Sequence, residues 1–539
     1  MKYLKIGIVV LVVLMTVLII VDRTSNAEEK DNLLKSSEGR LKENLEESDD
    51  FSEDYEENKS SKNIKNLKKN FECANKPKVI TNGLIPIVFD EQGNAKEVGE
   101  DDDWFNYSKD EKKWANAITK DNEGNITGYF VWIPRFAYKI NYEDESNKSK
   151  GGNIDVKFLI DNTDEYVDDD GEWKKAVHSQ TESEDSINSY IVHPSFTNGT
   201  ENNFKNGEWD KEIDGFWVSK FPATFQSLSI DDKAATSKKI KQLKCSESLY
   251  TVDENDEFYT KVNKFGKMTN ETKISYPTFL PSHYMYNKIW LGDAMQITRE
   301  IGENNSFYNI KGMDSHIPKN SEYGAVAYLT KSEYGNIDDF KANNYISIEM
   351  ENGRYSESKI SGISQTTDMI GKIENIVCQE IEKMDRYNSE EGKKASSTGN
   401  IYGIYDLNGG ENEFLTGFIK SEREEIDKYG NSNGKYNFFG QESTKYTTVY
   451  PYNPSKSTTT ENAEVYKNSK EYYGDAMREM IGKYQTTWGS VSICYPSDKS
   501  IFFKKEGDTM HGAYGVFYLT STNGNFDGTT GFRACLINN

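Results

Sequence analysis

The sequence predicts an α+β fold: an irregular, loop-rich domain that follows an apolar N-terminal helix. Among its 539 residues are 34 Tyr, 26 Phe, 8 Trp and 40 Gly, a composition that favours strands joined by turns over a helical bundle. Strand-like apolar runs, such as 129–133 and 215–220, are interspersed with a few segments of helical periodicity. An uncharged apolar run at residues 6–21 supplies the N-terminal helix.

This N-terminal run predicts an export signal. As a helix it would span roughly 24 Å, slightly less than the hydrocarbon core of a bilayer. Lys2 and Lys5 precede it, which predicts a cytoplasmic N-terminus and an extracellular remainder. Small residues at 25–27 also allow cleavage. Two outcomes therefore stay open: a transmembrane helix that holds a single-pass protein at the cell membrane, or a secreted protein cleaved after Ala27.

Composition along the chain predicts three regions. Residues 1–27 form the signal anchor or signal peptide. Residues 28–76 contain few apolar side chains and alternate acidic with lysine-rich runs, which predicts a charged, disordered stalk. Strand-like sequence begins near Pro77, so residues 77–539 are predicted to form one continuous extracellular domain. Its polar stretches at 141–190 and 418–470 are expected to be surface insertions.

Charge and motif content exclude several classes of function. Asp and Glu outnumber Lys and Arg by 88 to 65, a net charge of -23, and this negative field disfavours nucleic acid as a partner. The five cysteines contain no Cys-x-x-Cys pair and the five histidines no His-x-x-x-His pair, which argues against zinc ribbons and histidine metal clusters. Gly-x-Ser-x-Gly, phosphate-loop and His-Glu-x-x-His motifs are also missing from the sequence.

Local patterns predict the elements in order. Apolar residues indicate strands at three places, namely 80–89, 129–133 and 215–220. Helical spacing of apolar residues indicates helices at four places, namely 110–118, 286–301, 321–329 and 367–384. The first of these helices would bury Trp114 and Ile118 one turn apart.

Six motifs, in a fixed order, resemble those of the formylglycine-generating-enzyme superfamily. They occupy residues 130–136, 214–224, 290–294, 316–328, 399–414 and 531–533. The most specific, 399–414, is close to the family's Asn-x-x-Gly-Leu-Tyr-Asp-Met-x-Gly-Asn-Val-Trp-Glu-Trp, and the last is its terminal Gly-Phe-Arg.

This family, also called the sulfatase-modifying factors, has an elaborated C-type-lectin-like fold. The resemblance spans residues 130–535 and implies that fold for the extracellular domain. It also implies a set of framework residues, namely Trp132, Trp217, Tyr405, Asp406, Gly409, Phe414, Gly531, Phe532 and Arg533.

The chain lacks the chemistry of the family's enzymes. Catalytic members hold copper between two cysteines shortly before the terminal Gly-Phe-Arg, whereas residues 502–532 here contain no cysteine. Cys494 and Cys535 flank this stretch, and a disulfide or two buried thiols is favoured over a displaced catalytic pair. We therefore expect no catalytic residues and no required cofactor. The alternatives are a divergent metal- and oxygen-dependent enzyme, or a structural component of a surface or phage-like assembly.

The resemblance leaves one cofactor open, a calcium ion. Members of the family bind calcium near the Gly-Asn-Val-Trp-Glu corner, where Glu413 keeps the acidic position. Asn523, Asn525 and Asp527 present alternating oxygens, as a calcium loop would. An ordinary Asn-Gly turn is the favoured interpretation of that segment.

Binding of a surface protein or a glycan is the predicted function. C-type-lectin-like folds present ligands on loops over the terminal strands, and aromatic side chains provide large contact areas there. The candidate ligand-binding residues are Tyr484, Trp488, Tyr495, Tyr514, Phe517 and Tyr518. The alternative is that some of these residues, Tyr518 among them, face the core.

Overall fold

The fold is described from a computed structural model. It describes residues 69–79, 83–178, 189–199, 208–229, 276–287, 289–302, 307–337, 343–349, 355–364, 385–420, 424, 426–432, 434–440, 442–452, 472–477, 479–480, 488, 495–506, 516–525 and 530–538. The predicted signal at 1–27 and the predicted helix at 367–384 lie outside these residues. Within the described part of the chain, no helix is long and apolar enough to cross a membrane.

Strands predominate, in agreement with the α+β prediction in its coarse form. In chain order they are β1 (Ile85–Phe89), β2 (Ala95–Glu97), β3 (Asn116–Lys120), β4 (Ile126–Pro134), β5 (Phe136–Tyr142), β6 (Gly152–Phe158), β7 (Glu165–Val167), β8 (Trp173–Lys175), β9 (Ile191–Val192), β10 (Gly215–Ser219), β11 (Thr224–Ser229), β12 (His283–Met285), β13 (Met313–His316), β14 (Asn343–Glu349), β15 (Tyr355–Ser364), β16 (Asp385–Arg386), β17 (Asn412–Ile419), β18 (Thr448–Tyr450), β19 (Phe502–Lys505), β20 (Leu519–Thr522), β21 (Thr530–Gly531) and β22 (Cys535–Asn538).

Two α-helices occur in the described residues, α1 (Leu291–Arg299) and α2 (Asn320–Thr330). They confirm the predicted helices at 286–301 and 321–329, although α1 is shorter than its pattern suggested. Single helical turns complete the list: Asn70–Cys73, Lys148–Lys150, Pro194–Phe196, Gly392–Ala395 and the π-type turn Ile426–Gly430.

The largest sheet has seven strands in the order β13-β22-β10-β4-β3-β1-β2, all antiparallel to their neighbours. It inserts the last strand, β22, between β13 and β10. All five residues of β10 are buried. Trp217 on β10 lies opposite Trp132 on β4, with ring centroids 5.4 Å apart. The strands predicted at 129–133 and 215–220 are therefore neighbours in the core.

A second sheet, in the order β18-β17-β19-β20, carries the other half of the core. Its strand β17 also pairs with the short β21, and it runs parallel to both β18 and β21. All eight residues of β17 are buried. The remaining strands form smaller sheets in the orders β11-β12-β15-β14, with β16 beside β15, then β6-β5-β9 and β7-β8.

The helix predicted at 110–118 is wrong. Its second half begins β3, which pairs with both β1 and β4. Trp114 and Ile118 are buried as expected, but each has a long-range partner: the Trp114 indole donates to the Tyr334 carbonyl at 2.9 Å, and Ile118 lies opposite Tyr129. Pairing on both sides of a strand outweighs a weak local helical pattern.

Two predicted boundaries also differ from the structure. Residues 152–175, expected to lie in a polar surface insertion, form strands β6 to β8, and Leu159 and Tyr166 of this region belong to an apolar core cluster. The compact unit begins at Lys69, within the predicted stalk. Asn70 explains this start, because its buried carboxamide bonds to the backbone of Phe158 and Val167.

Candidate functional site

The centre of the fold is a buried ion pair between Arg533 and Glu413. The guanidinium donates through Nε and Nη2 to the two carboxylate oxygens at 2.6 and 2.8 Å. It also donates to the backbone carbonyls of Ser219 at 2.7 Å and Tyr405 at 3.0 Å. One side chain thus joins three segments that carry the family resemblance: 214–224, 399–414 and 531–533.

A tight corner holds the partners of Arg533 in place. Asp406 has a positive φ of 63° and accepts a hydrogen bond from the Gly362 amide at 2.9 Å. Burial raises the pKa of Asp406 to about 7. Next to it, the Lys505 ammonium donates to the carbonyls of Gly409 and Glu411. These backbone carbonyls accept hydrogen bonds from the buried ammonium, which would otherwise be costly to remove from water.

The framework residues named from the sequence are mostly buried or lie in tight turns. Tyr405 stacks on Phe221 with a centroid distance of 5.4 Å. Gly409 has the positive φ of 83° that a tight turn needs. Gly531 pairs with Glu413 across two parallel strands. The large apolar members are buried, namely Trp132, Trp217, Tyr405, Phe414 and Phe532.

The aromatic binding candidates are placed differently from expectation. Four of the six are buried, namely Trp488, Tyr495, Phe517 and Tyr518. The Trp488 indole donates to the Lys148 carbonyl at 2.5 Å, and the Tyr495 hydroxyl donates to the Pro451 carbonyl at 3.0 Å. For these four, the alternative of a core-facing side chain is what the structure shows. Tyr484 and Tyr514 lie outside the described residues.

The calcium candidates do not form a site among the described residues. Both oxygens of Glu413 accept hydrogen bonds from Arg533, so a cation would have to displace the guanidinium. The Asn523 side chain accepts from the Asn525 amide at 3.1 Å around Gly524, whose φ is 74°. This is the ordinary Asn-Gly turn that the sequence favoured. Asp527 lies outside the described residues.

One polar cluster in the core was not predicted from the sequence. His316, Glu322 and Cys535 bring an imidazole nitrogen, a carboxylate oxygen and a thiol sulfur within 4.8 Å of one another, and all three are buried. Cys535 is a free thiol; Cys494, with which a disulfide was considered, lies outside the described residues. The clue missed in the sequence was Glu322 in the first turn of α2, where its carboxylate accepts a hydrogen bond from the Lys319 amide at 2.8 Å.

Electrostatics in this cluster follow from burial and close neighbours. Burial raises the pKa of the Cys535 thiol well above its ordinary value, and Glu322 adds to this effect. Burial acts in the same direction on Glu322, but the neighbouring His316 and Lys319 outweigh it and hold the pKa of Glu322 below its ordinary value. Glu322 is therefore a carboxylate and Cys535 a neutral thiol at neutral pH.

Comparison with known proteins adds no name to this arrangement. No protein-family model matches the chain, and no curated protein matches it significantly.

Proposed function

We propose that the chain is a surface-displayed, non-catalytic binding protein, tethered to the cell membrane by its N-terminal helix. Its folded part is a C-type-lectin-like domain of the formylglycine-generating-enzyme type. The observation that carries the proposal is the set of hydrogen bonds made by Arg533. They join the terminal Gly-Phe-Arg to Ser219, Tyr405 and Glu413, which belong to the other motifs behind the resemblance.

Binding is favoured over catalysis because the family's copper-binding thiols have no counterpart. Residues 502–532 contain no cysteine, and the described strands of this stretch, β19 and β20, present Phe502, Phe503 and Leu519 to the core. Thiolates are soft donors that select Cu(I), the ion that the family's enzymes hold between their two cysteines. A copper- and oxygen-dependent reaction therefore has no support at the position where the resemblance would put it.

The ligand is proposed to be a glycan or a protein with a neutral or basic surface. The net charge of -23 disfavours polyanions. Four of the six aromatic candidates are buried. Tyr484 and Tyr514 lie outside the described residues, and we propose them as ligand contacts on the sequence argument alone. Tyrosine offers a large contact area at low entropic cost.

Location and binding are tested separately on the full-length chain. Protease added to intact cells should release the domain; a domain that stays protected until the cells are lysed would contradict surface display. The full-length protein, solubilised with detergent, is then applied to glycan and protein arrays. Against any ligand found, Tyr484→Ala and Tyr514→Ala should each cost about 2 kcal/mol of binding if they are central anchors.

Tyr495→Phe is the matched control for those variants. Its hydroxyl bonds to the Pro451 carbonyl in the protein interior, so its removal should lower stability slightly and leave affinity unchanged. Equal effects of all three variants would show that the tyrosines act through the fold. Unchanged affinity in both Tyr484→Ala and Tyr514→Ala would remove these residues from the binding surface.

A further inference from the structure

We propose that His316, Glu322 and Cys535 form a closed site for one divalent transition-metal ion of the zinc class. The His316 Nε2 atom lies 3.0 and 2.9 Å from the two oxygens of Glu322. The donor atoms of all three residues fall within 4.8 Å of one another. This proposal does not depend on the ligand contacts proposed above.

Regular elements bring the three residues together. His316 ends β13 and lies directly opposite Cys535, the first residue of β22. Residues opposite each other in an antiparallel pair have Cβ atoms about 5 Å apart. Glu322 is in the first turn of α2, which starts four residues after β13 ends. A cluster held by a sheet and a helix start is pre-organised for a small ligand.

The chemistry of the donors matches zinc. Imidazole, carboxylate and thiolate are the usual ligands of this ion, at about 2.0 Å for nitrogen and oxygen and about 2.3 Å for sulfur. Ligand atoms bound tetrahedrally would then lie about 3.3–3.6 Å apart. The nitrogen and oxygens are already close to that spacing, and a shift of about 1 Å would bring the sulfur within it.

One observation indicates that the protein alone does not satisfy this cluster. His316 Nδ1 is buried and has no hydrogen-bond partner within the described part of the chain. A buried polar atom without a partner costs about 1–3 kcal/mol. The other ring nitrogen, Nε2, faces Glu322, so the ion would be bound through Nε2, and the unpaired Nδ1 shows that the described residues leave this ring incompletely satisfied.

Lys319 is the strongest element that opposes a metal ion. Its ammonium lies 3.5 Å from Glu322 Oε1 and is buried. It also donates to the Lys445 carbonyl at 2.6 Å and lies 3.6 Å from the centre of the Trp209 ring. A metal and Lys319 would compete for the same carboxylate, so removal of this charge should strengthen metal binding.

The surroundings identify the site as structural. The His316 ring packs against Trp209 and Tyr446, at centroid distances of 5.3 and 5.7 Å. Three protein donors leave a fourth position on a tetrahedral ion, but all three donors are buried, so a substrate would not reach that position. The metal would join β13, β22 and the start of α2, and its binding energy would add to folding stability.

The test uses the purified full-length protein, loaded with Zn²⁺ or Co²⁺ alone and then freed of unbound metal. We expect one bound ion per chain and, with Co²⁺, a thiolate-to-metal charge-transfer band. Cys535→Val, an apolar replacement suited to a strand, should remove the band and lower affinity at least tenfold. His316→Gln should lower affinity to a similar extent while it keeps a polar partner for Glu322.

Two further variants separate a metal site from a purely structural ion pair. Cys73→Ser alters the other buried free thiol of the described residues and should leave the charge-transfer band unchanged. Lys319→Met should bind Zn²⁺ at least as tightly as the wild type. Fewer than about 0.1 bound ions per chain in the wild type, or a band that persists in Cys535→Val, would overturn the proposal. Weaker zinc binding by Lys319→Met would also overturn it.

Discussion

Arg533 and Glu413, 120 residues apart in the chain, form a two-pronged ion pair in the core, with N–O distances of 2.6 and 2.8 Å. The pair links the segment before β22, in the large sheet, to β17 in the second sheet. A buried ion pair of this kind adds little stability compared with apolar side chains packed in its place. Removal of one partner, however, leaves a buried charge unpaired. The two sheets therefore depend on each other through this contact.

Removal of either partner should destabilise the domain strongly. Arg533→Met and Glu413→Gln are each expected to lower the free energy of unfolding by about 3–5 kcal/mol, measured by urea denaturation. The double variant should lose less than the sum, because the second substitution removes the charge that the first leaves without its partner. Asp101→Asn, which breaks the exposed Lys76–Asp101 pair, is the control and should leave the denaturation midpoint unchanged. Additive losses would contradict the pairing.

The parts of the fold that could be predicted are those whose pattern is local. The strands at 129–133 and 215–220 and the helix at 321–329 were found because apolar periodicity identifies them. The motif 399–414 indicated a tight corner beside Tyr405 and Phe414, and Asp406, Gly409 and Gly410 of this segment have the positive φ of such a turn. Each of these signals lies within one short segment of the chain.

The missed parts depend on register between distant segments. His316 and Cys535 become neighbours only because β13 and β22 pair with that alignment, and sequence spacing does not encode it. Trp114 and Ile118 fit a helical spacing as well as a buried strand, and only the partners of β3 decide between the two. The buried aromatics failed as binding candidates for the same reason, since loop position alone does not reveal which side chains face the core.

A local signal that could have been used is the turn Asp-x-x-Gly-[Asn/Glu]. It joins β1 to β2, β3 to β4 and β7 to β8, at residues 90–94, 121–125 and 168–172. In each turn the first Asp accepts hydrogen bonds from amides two and four residues later. This pattern predicts the third hairpin, which lies inside 141–190. The polarity of that stretch had instead favoured a surface insertion.

Gly324→Ala should destabilise the domain even though alanine is the better helix former. A Cβ at this position of α2 would lie 2.0 Å from the Gly474 carbonyl oxygen and 2.9 Å from the Ala476 amide nitrogen. The clash with backbone should cost about 1–3 kcal/mol, more than the gain in helix propensity of about 1 kcal/mol. Thermal denaturation would show the sign, and a raised melting temperature would mean that α2 is not packed this closely.

Residues 69–76 should prove to be part of the folded domain. Asn70 makes three hydrogen bonds to the backbone of β6 and β7, and the Asn75 carbonyl accepts from the Trp132 indole at 2.9 Å. A chain shortened to 77–539 should be less stable than one shortened to 69–539 by at least about 3 kcal/mol, because buried partners are left unsatisfied. Asn70→Ala in the longer chain should reproduce part of this loss. Equal stability of the two chains would place the boundary at Pro77, as the sequence predicted.

His193 should make the domain sensitive to acid. It is fully buried, and burial lowers the pKa of its imidazole from 6.5 to about 3. The ring is packed against Tyr138 and Tyr328, and the hydroxyls of both tyrosines donate to Glu479. Between pH 6.5 and 3 the imidazole is protonated in the unfolded chain but neutral in the folded protein. The free energy of unfolding therefore falls as the pH drops from 6.5 to 3.

His193→Asn isolates this contribution. Asparagine can still accept the hydrogen bond that the Ser195 amide donates to His193 at 3.3 Å, but it does not titrate. The difference in unfolding free energy between wild type and variant should shrink by about 1.4 kcal/mol per pH unit between pH 6 and 4. Asp406, whose pKa is raised to about 7, acts with the opposite sign between pH 7 and 3.8. It contributes equally to both proteins and cancels from the difference. A difference independent of pH would show that His193 takes up its proton as readily in the folded protein as in the unfolded chain.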